Sequence, residues 1–567
     1  MSLSKPISSF HKPSHAALQN KRRTYILARL FLVTFVFVHS GVFAGTVDGY
    51  GDNIGTVNFP VSCSEPSQHL MERGVALLHH MTYAGARMVF ENVREAEPNC
   101  ALAYWGVAMT YVHPLWLDPP NEQELKLGLD LIKLAKKRGY KTAREHAYIA
   151  ALEAYYQNAE ERDQRVRIAR FEQAWNKVYH EFPEDLEAAA FYALAHMATA
   201  KSNDKSYRKQ KKAGAIMEKI LAQIPDHPGA HHYIIHAYDF PGLADRALKV
   251  ARNYGKVAPE VPHALHMPTH IFTRLGFWQE SIDWNRRSAA AAWKNKQDGA
   301  ITMHYLHALD YLAYAYLQQA KDEKAREVTE TILSLSDSFF DLNAEATAYA
   351  LAAIPARYAL ERQKWQEAEK LLPRKPASFQ WGKQFAAFEA TTHFARALGA
   401  ARSGNGPAAK RALKELDALH NIVAQKNAYW AEQIRIQQLS AQAWLAFING
   451  NKVEALRLMQ QAARLEASTE KHPVTPGEVL PARELLGDML MELERPEEAL
   501  KEYETELKRS PNRLNSLYGA GRAAELAGDK KKAEVYYQTL VKLTAQADTK
   551  RPRLLDVRRF LYSEIAQ

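Results

Sequence analysis

Small, aromatic and proline positions return along this chain at a fixed long spacing, not in the alternation of a strand. Near the C-terminus Gly487, Ala499, Tyr503 and Pro511 stand at offsets 0, 12, 16 and 24, and Gly521, Ala533 and Tyr537 follow 34 residues behind their counterparts. Near the other end Gly74, Ala86, Phe90 and Pro98 keep the same offsets. The spacing predicts pairs of antiparallel helices. Small residues let two helices approach, an aromatic fills the gap to the next pair, and Pro ends the second helix. Carried inward, the register puts Pro183, Pro225 and Pro259 at unit ends and Ala247 at the second small position. Ala313 with Ala325, Ala397 with Ala409, and Ala443 with Ala455 mark further units. His113–Gln123 and Arg287–Met303 read as insertions, Leu372–Gln384 as a Pro-containing loop, and Ser468–Glu478 as the segment before the last, most regular pair. No strand-rich stretch and no Gly-rich phosphate loop interrupts the pattern.

These offsets resemble the tetratricopeptide (TPR) repeat, with small residues at positions 8 and 20, an aromatic at 24 and Pro at 32. The resemblance implies an all-α fold: a TPR-like α-solenoid of about nine to eleven hairpins in a right-handed superhelix. The expected divisions are a signal peptide or N-terminal anchor at 1–44 and an N-terminal extension at 45–66. A TPR-like solenoid with a His-rich groove follows at 67–371, middle repeats at 372–470 and C-terminal repeats at 471–567.

Composition changes this picture at the N-terminus. Hydrophobic residues make up 47% and charged residues 24% of the 567, which is ordinary for a folded chain and too apolar for disorder. The formal net charge is +10, but residues 1–44 carry six basic and no acidic side chains, so the remainder is mildly basic. That argues against nucleic acid as a partner. Within the segment, Lys21–Arg23 precede the apolar run Leu30–Val38, and Val42 and Ala44 suit a cleavage site before Gly45. The expectation is export, to a periplasmic or secreted location, with membrane contact only through this segment if it is uncleaved. The basic run Lys201–Lys212 reads as a solvated helix connection. The two cysteines, Cys63 and Cys100, lie just before the first helix of a hairpin and just after the second. Antiparallel helices bring those ends together, and export permits the disulfide.

The densest chemistry is imidazole. Nine of the 22 histidines fall within residues 227–310, where an even spread gives about three. In the repeat register His232, His236 and Asp239 take positions 5, 9 and 12 of one first helix. His263, His266 and His270 take 2, 5 and 9 of the next, and His307 and Asp310 take 2 and 5 of the following one. Positions 2, 5, 9 and 12 form one stripe along a helix, distinct from the packing positions 4, 8 and 11. In TPR proteins that stripe lines the concave groove. Pairs at i,i+3 and i,i+4 aim two donor atoms to one side, as helical metal sites require. Imidazoles with a few carboxylates suit Zn, Cu or Fe, and the sequence does not choose among them. Asp239 and Asp310 are expected as ligands or as orienters of ligands.

Other histidines are weaker candidates. His304 at a helix start could cap or ligate. His79, His80, His113 and His196 could form an outer shell or contact a substrate, and Trp105, at position 5 of its unit, and Trp116 could wall the groove. His227 reads as a turn residue and His231 as a packing one. Glu280 and Asp283 are the candidate acid/base groups of an enzyme reading. There is no G-x-S-x-G, HExxH or P-loop.

The stretches "RGVALLHHMTYAGARMVFENVREAEPNCALAYWG", "HHYIIHAYD", "HALHMPTHIFTRLGFWQESI" and "HALDYLAYAYLQ" together resemble a group of bacterial exported TPR proteins. The resemblance implies the solenoid and carries no catalytic assignment, because the repeat is a scaffold for many roles. The function expected is an exported solenoid whose groove binds a transition metal, with or without a small ligand. The alternatives are a metal-free scaffold holding a protein or peptide and, below it, an oxidative or hydrolytic metalloenzyme.

Overall fold

The computed structural model describes residues 49–115, 119–201, 203–296, 302–336 and 345–565. The segment 1–44, Trp116 and part of each predicted insertion lie outside them. The described residues form helices and contain no strand. Among the described residues twelve helical hairpins follow one another from Glu65–His79 with Tyr83–Ala96 to Leu514–Leu526 with Lys530–Leu543, and the helix Pro552–Ile565 comes after them. The chain is thus an all-α, TPR-like α-solenoid. The hairpin count exceeds the expected range partly because the pair Glu345–Glu361 and Trp365–Glu369 has a second helix of only five residues and keeps only the small pair Ala356 and Ala368, without the aromatic and Pro that follow elsewhere.

The markers act as the spacing predicts. A methyl group added at Gly487 would lie 2.7 Å from the Tyr503 ring, and one at Gly521 would lie 2.5 Å from Tyr537. The small residue therefore exists to admit the aromatic of its own hairpin. Gly521→Ala is expected to lower stability by about 1–3 kcal/mol through overpacking, read as a lower denaturant midpoint with unchanged slope.

Three features were not predicted. First, Pro268 splits the expected helix into Pro262–His266 and Pro268–Leu275. Proline has no N–H to donate and its ring opposes the carbonyl four residues back. Met267 keeps right-handed helical angles (φ −52°, ψ −38°), so the two pieces stay in one helical track. Second, the solenoid is filled by its own chain. In the extension, Phe59 stacks on Trp105 with ring centroids 5.4 Å apart, and Ile54 offers its carbonyl to His80. Third, the segment 469–481, without helix, runs across the histidine-bearing helices. Beyond it the last repeats return against the hairpins between Trp278 and Glu361. There Arg513 is buried between Glu484 (2.7 Å) and Glu361 (2.8 Å), and Trp278 donates to the Asn512 carbonyl.

Cys63 and Cys100 are joined by a disulfide with Cα atoms 5.4 Å apart, tying the start of the first hairpin to the end of its second helix. Among the described residues no helix is long and apolar enough to cross a membrane.

Candidate metal centre

Three consecutive first helices supply the centre: Pro228–Tyr238, the split pair Pro262–His266 and Pro268–Leu275, and Met303–Gln318. Their inner stripes converge. His232, His236 and His263 form one group and His266, His270 and His307 a second, and within each group the facing ligand atoms lie within 4.8 Å of one another. The two groups abut. Ring centroids of His236 and His270 are 6.0 Å apart and those of His263 and His266 are 6.2 Å apart, close to the 6.1 Å between His270 and His307 inside one group. His304 stands at the edge, 4.9 Å from His263.

The expected open groove is not what surrounds these rings. His232, His263, His266, His270 and His307 are all buried, and only His236 among the six is partly exposed. The cause is the segment 469–481, which takes in most of the stretch Ser468–Glu478 expected only to precede the last, most regular pair. Lys205 and Tyr207 hold Glu470 (2.5 Å each), Lys471 reaches Asp239 (2.8 Å), and Tyr311 donates to the Thr475 carbonyl (2.8 Å). Arg357 then donates to the carbonyls of Gly477 and Glu478, both at 2.7 Å. The basic run containing Lys205 is therefore a docking point for this strap and not merely a solvated connection.

Burial fixes the protonation of the rings. Burial, reinforced by neighbouring imidazoles, holds His232, His263, His266 and His307 well below the ordinary histidine value. His236 is lowered to about 3 and His304 to about 4, again chiefly by burial. The rings are neutral, so each has one N–H and one lone pair. For three of them the outer partners decide which nitrogen is which. His232 Nδ1–H donates to the His79 carbonyl at 2.6 Å, and a carbonyl only accepts. His270 Nδ1–H donates to Asp239 at 2.9 Å. His266 Nδ1–H donates to Asn285 Oδ1 at 2.8 Å, and Asn285 is oriented by giving its own NH2 to the Ser281 carbonyl. All three therefore turn a bare Nε2 lone pair inward.

The consequence is sharpest between His266 and His270. Their Nε2 atoms are 3.1 Å apart, and neither has a proton to place between them. Two lone pairs at this distance repel unless a cation lies between them. Outer acceptors that lock Nδ1–H and leave Nε2 bare are the usual support of metal-binding histidines.

Asp239 supports His270 from outside the two groups. Its carboxylate meets His270, Arg274 (3.0 Å) and Lys471 (2.8 Å), and it lies in neither histidine group. Burial would raise its pKa, but Lys471, Arg274 and His270 together hold it far below the usual carboxylate value. The same burial lowers Lys471 to about 8, against the pull of Asp239. Asp310 does not reach the rings either. It faces Arg357 (3.4 Å), and burial, only partly offset by that arginine, raises it to about 6.

The remaining candidates are placed elsewhere. His79, Glu187 and His227 form a third buried group, but its hydrogen bonds are complete. His79 Nε2 and His227 Nε2 both bond Glu187 (2.7 and 3.1 Å), His79 Nδ1 meets the Tyr233 hydroxyl, and His227 Nδ1 accepts from the Ala230 N–H. This is a polar bolt between repeats. His80 is equally satisfied, by the Tyr254 hydroxyl (2.8 Å) and the Ile54 carbonyl (2.9 Å). His113 bonds the Thr110 carbonyl and stacks on Tyr83, while His196 pairs with Glu172. Trp105 is fully buried under Phe59 and walls no open groove. Glu280 pairs with Arg252 and Asp283 accepts from Gln279, both on the outer surface, so neither serves as acid or base at this centre.

Sequence reasoning missed Lys471, Arg274, Asn285 and Tyr311. Arg274, four residues after His270, carried a usable signal, and so did Tyr311, four residues after His307. Its ring flanks His266, His270 and His307 at 4.7, 5.0 and 5.2 Å.

No family model matches this chain, and no curated protein matches it in sequence. Among solved structures it is similar to the human IFIT1 dimer with m7Gppp-AAAA and the human IFIT1 dimer with PPP-AAAA. Each is 13% identical and spans 86% of this chain and 96% of that one, at a TM-score of 0.37. The RNA belongs to those proteins, and nothing for or against RNA binding is carried to this chain.

Proposed function

We propose that this solenoid is a transition-metal-binding protein whose six inner histidines, His232, His236, His263, His266, His270 and His307, are the ligands. The observation that carries the reading is the pair of bare Nε2 atoms of His266 and His270 at 3.1 Å, each fixed by an outer acceptor. Asp239 and Asn285 position the rings. Export remains part of the proposal. It rests on the N-terminal segment, and the disulfide is of the kind that persists in oxidising compartments.

The peptide-scaffold alternative needs free groove. The strap and the extension already occupy the inner stripe at the histidines and at Trp105, which favours the metal reading there. Elemental analysis of protein purified without a His-tag tests it. Stoichiometric transition metal is expected, and His266→Ala with His270→Ala should remove metal from their group while helicity stays near wild type. A chain that carries none and takes up none would leave the scaffold reading in place.

A further inference from the structure

We infer that the two histidine groups hold two monovalent copper ions side by side, one in each group, as a pair that binds dioxygen. The inference rests on the metal reading above and goes beyond it in number, oxidation state and ligand.

The number follows from geometry. Six rings divide into two sets of three, and each set is complete in itself. Three nitrogens per ion leave a coordination position open on each, as in catalytic three-histidine sites. Because the sets abut through His236–His270 and His263–His266, the two open positions belong to neighbouring ions.

The charge follows from the ligands. Imidazoles are neutral and bring no anion to either ion. The nearest carboxylate, Asp239, is already matched by Arg274 and Lys471, and Asp310 by Arg357. These pairs leave one positive charge in excess before any ion enters. Two divalent ions would add four more charges to a buried site without a carboxylate ligand. Two cuprous ions add half as much, and uncompensated buried charge is costly. Imidazole is a good copper ligand, and a three-nitrogen site needs no fourth protein donor.

The small ligand follows from the two neighbouring open positions and the electrons. The strap from Glu470 to Glu478 is anchored across the ring-bearing helices, and of the rings only His236 and His304 are partly exposed. Paired ions in two-metal sites stand roughly 3.5–4 Å apart, a span that a diatomic molecule can bridge. Each Cu(I) gives up one electron, dioxygen takes both and is reduced to peroxide, and the O–O bond is kept. No further reductant or proton enters the step.

The test is an anaerobic Cu(I) titration of the metal-free full-length protein against a chromophoric cuprous chelator, with Zn(II) as competitor. Oxygen uptake is then followed with an electrode. Two equivalents of Cu(I) are expected, and one dioxygen consumed per two copper. His236→Ala and His307→Ala should each lose one equivalent and the paired uptake, with circular dichroism and the denaturant midpoint checking that both variants are folded. One equivalent in the wild type, or loss of both ions from either variant, overturns the pair. Zinc or iron in the native protein, with Zn(II) displacing copper at equal concentration, overturns the cuprous assignment. Each of those two results leaves the metal reading standing. Two bound copper ions without oxygen uptake overturn the dioxygen ligand. No metal taken up at all overturns both this inference and the metal reading.

Discussion

Asp239→Asn should cost the protein about 3–5 kcal/mol of stability and most of its metal affinity, although Asp239 touches no metal. The carboxylate is buried and serves Arg274, Lys471 and His270 at once. Neutralising it leaves a guanidinium and an ammonium buried without their anion, and removing one partner of a buried charge pair is far costlier than the pair's net worth. The amide also acts on the ring. Its NH2 placed against His270 Nδ1 would require a lone pair there and move the ring proton to Nε2, where the ligand atom must be bare. Urea unfolding of the metal-free variant reads the first effect, and metal content of the refolded variant at high metal reads the second. A variant as stable as wild type with full metal would show that the strap's Lys471 and the orientation of His270 are independent of Asp239.

The second large effect is acid lability of the metal-free protein. Burial lowers His80 to about 3, and His472 likewise to about 3 with Lys471 adding to the shift. A histidine depressed in the folded state stays neutral while the unfolded chain protonates near pH 6.5. Stability is therefore full above that pH and falls as pH drops toward the folded value. Each such ring loses up to about 1.4 kcal/mol per pH unit, or on the order of 2 kcal/mol by pH 5. With His304 lowered to about 4 as well, the loss reaches several kcal/mol, a large share of a typical domain's stability. Glu187 and Asp239 are held below ordinary carboxylate values, so their contribution is lost only at still lower pH. Asp310, raised to about 6, works in the opposite direction and offsets part of one ring's share. Cooperative unfolding is expected between about pH 6 and 4, and saturating metal should move the midpoint downward, because a ligated nitrogen cannot take a proton. A stability flat from pH 7 to 4.5 would contradict the buried, neutral state of these rings.

Legibility followed the range of each interaction. Gly521 against Tyr537 and the i,i+4 pair His266/His270 are short-range features, so their spacing alone carried them. The helix break at Pro268 rests on a single residue that the repeat register runs straight through. For Asp310, expected as a ligand or an orienter, helical spacing gives the face but not the partner. Arg357, which it meets, comes from the next hairpin.

The sequence by itself determined the α-solenoid, the hairpin period and the face on which the histidines stand, because all three are set by contacts within or between adjacent helices. Only the tertiary structure decided that this face is closed, that the six rings divide into two threes, and which nitrogen of His232, His266 and His270 is bare. Those outcomes depend on groups far away along the chain, such as His79 from the first hairpin and Lys471 from a strap 232 residues beyond Asp239, and no local pattern encodes such meetings.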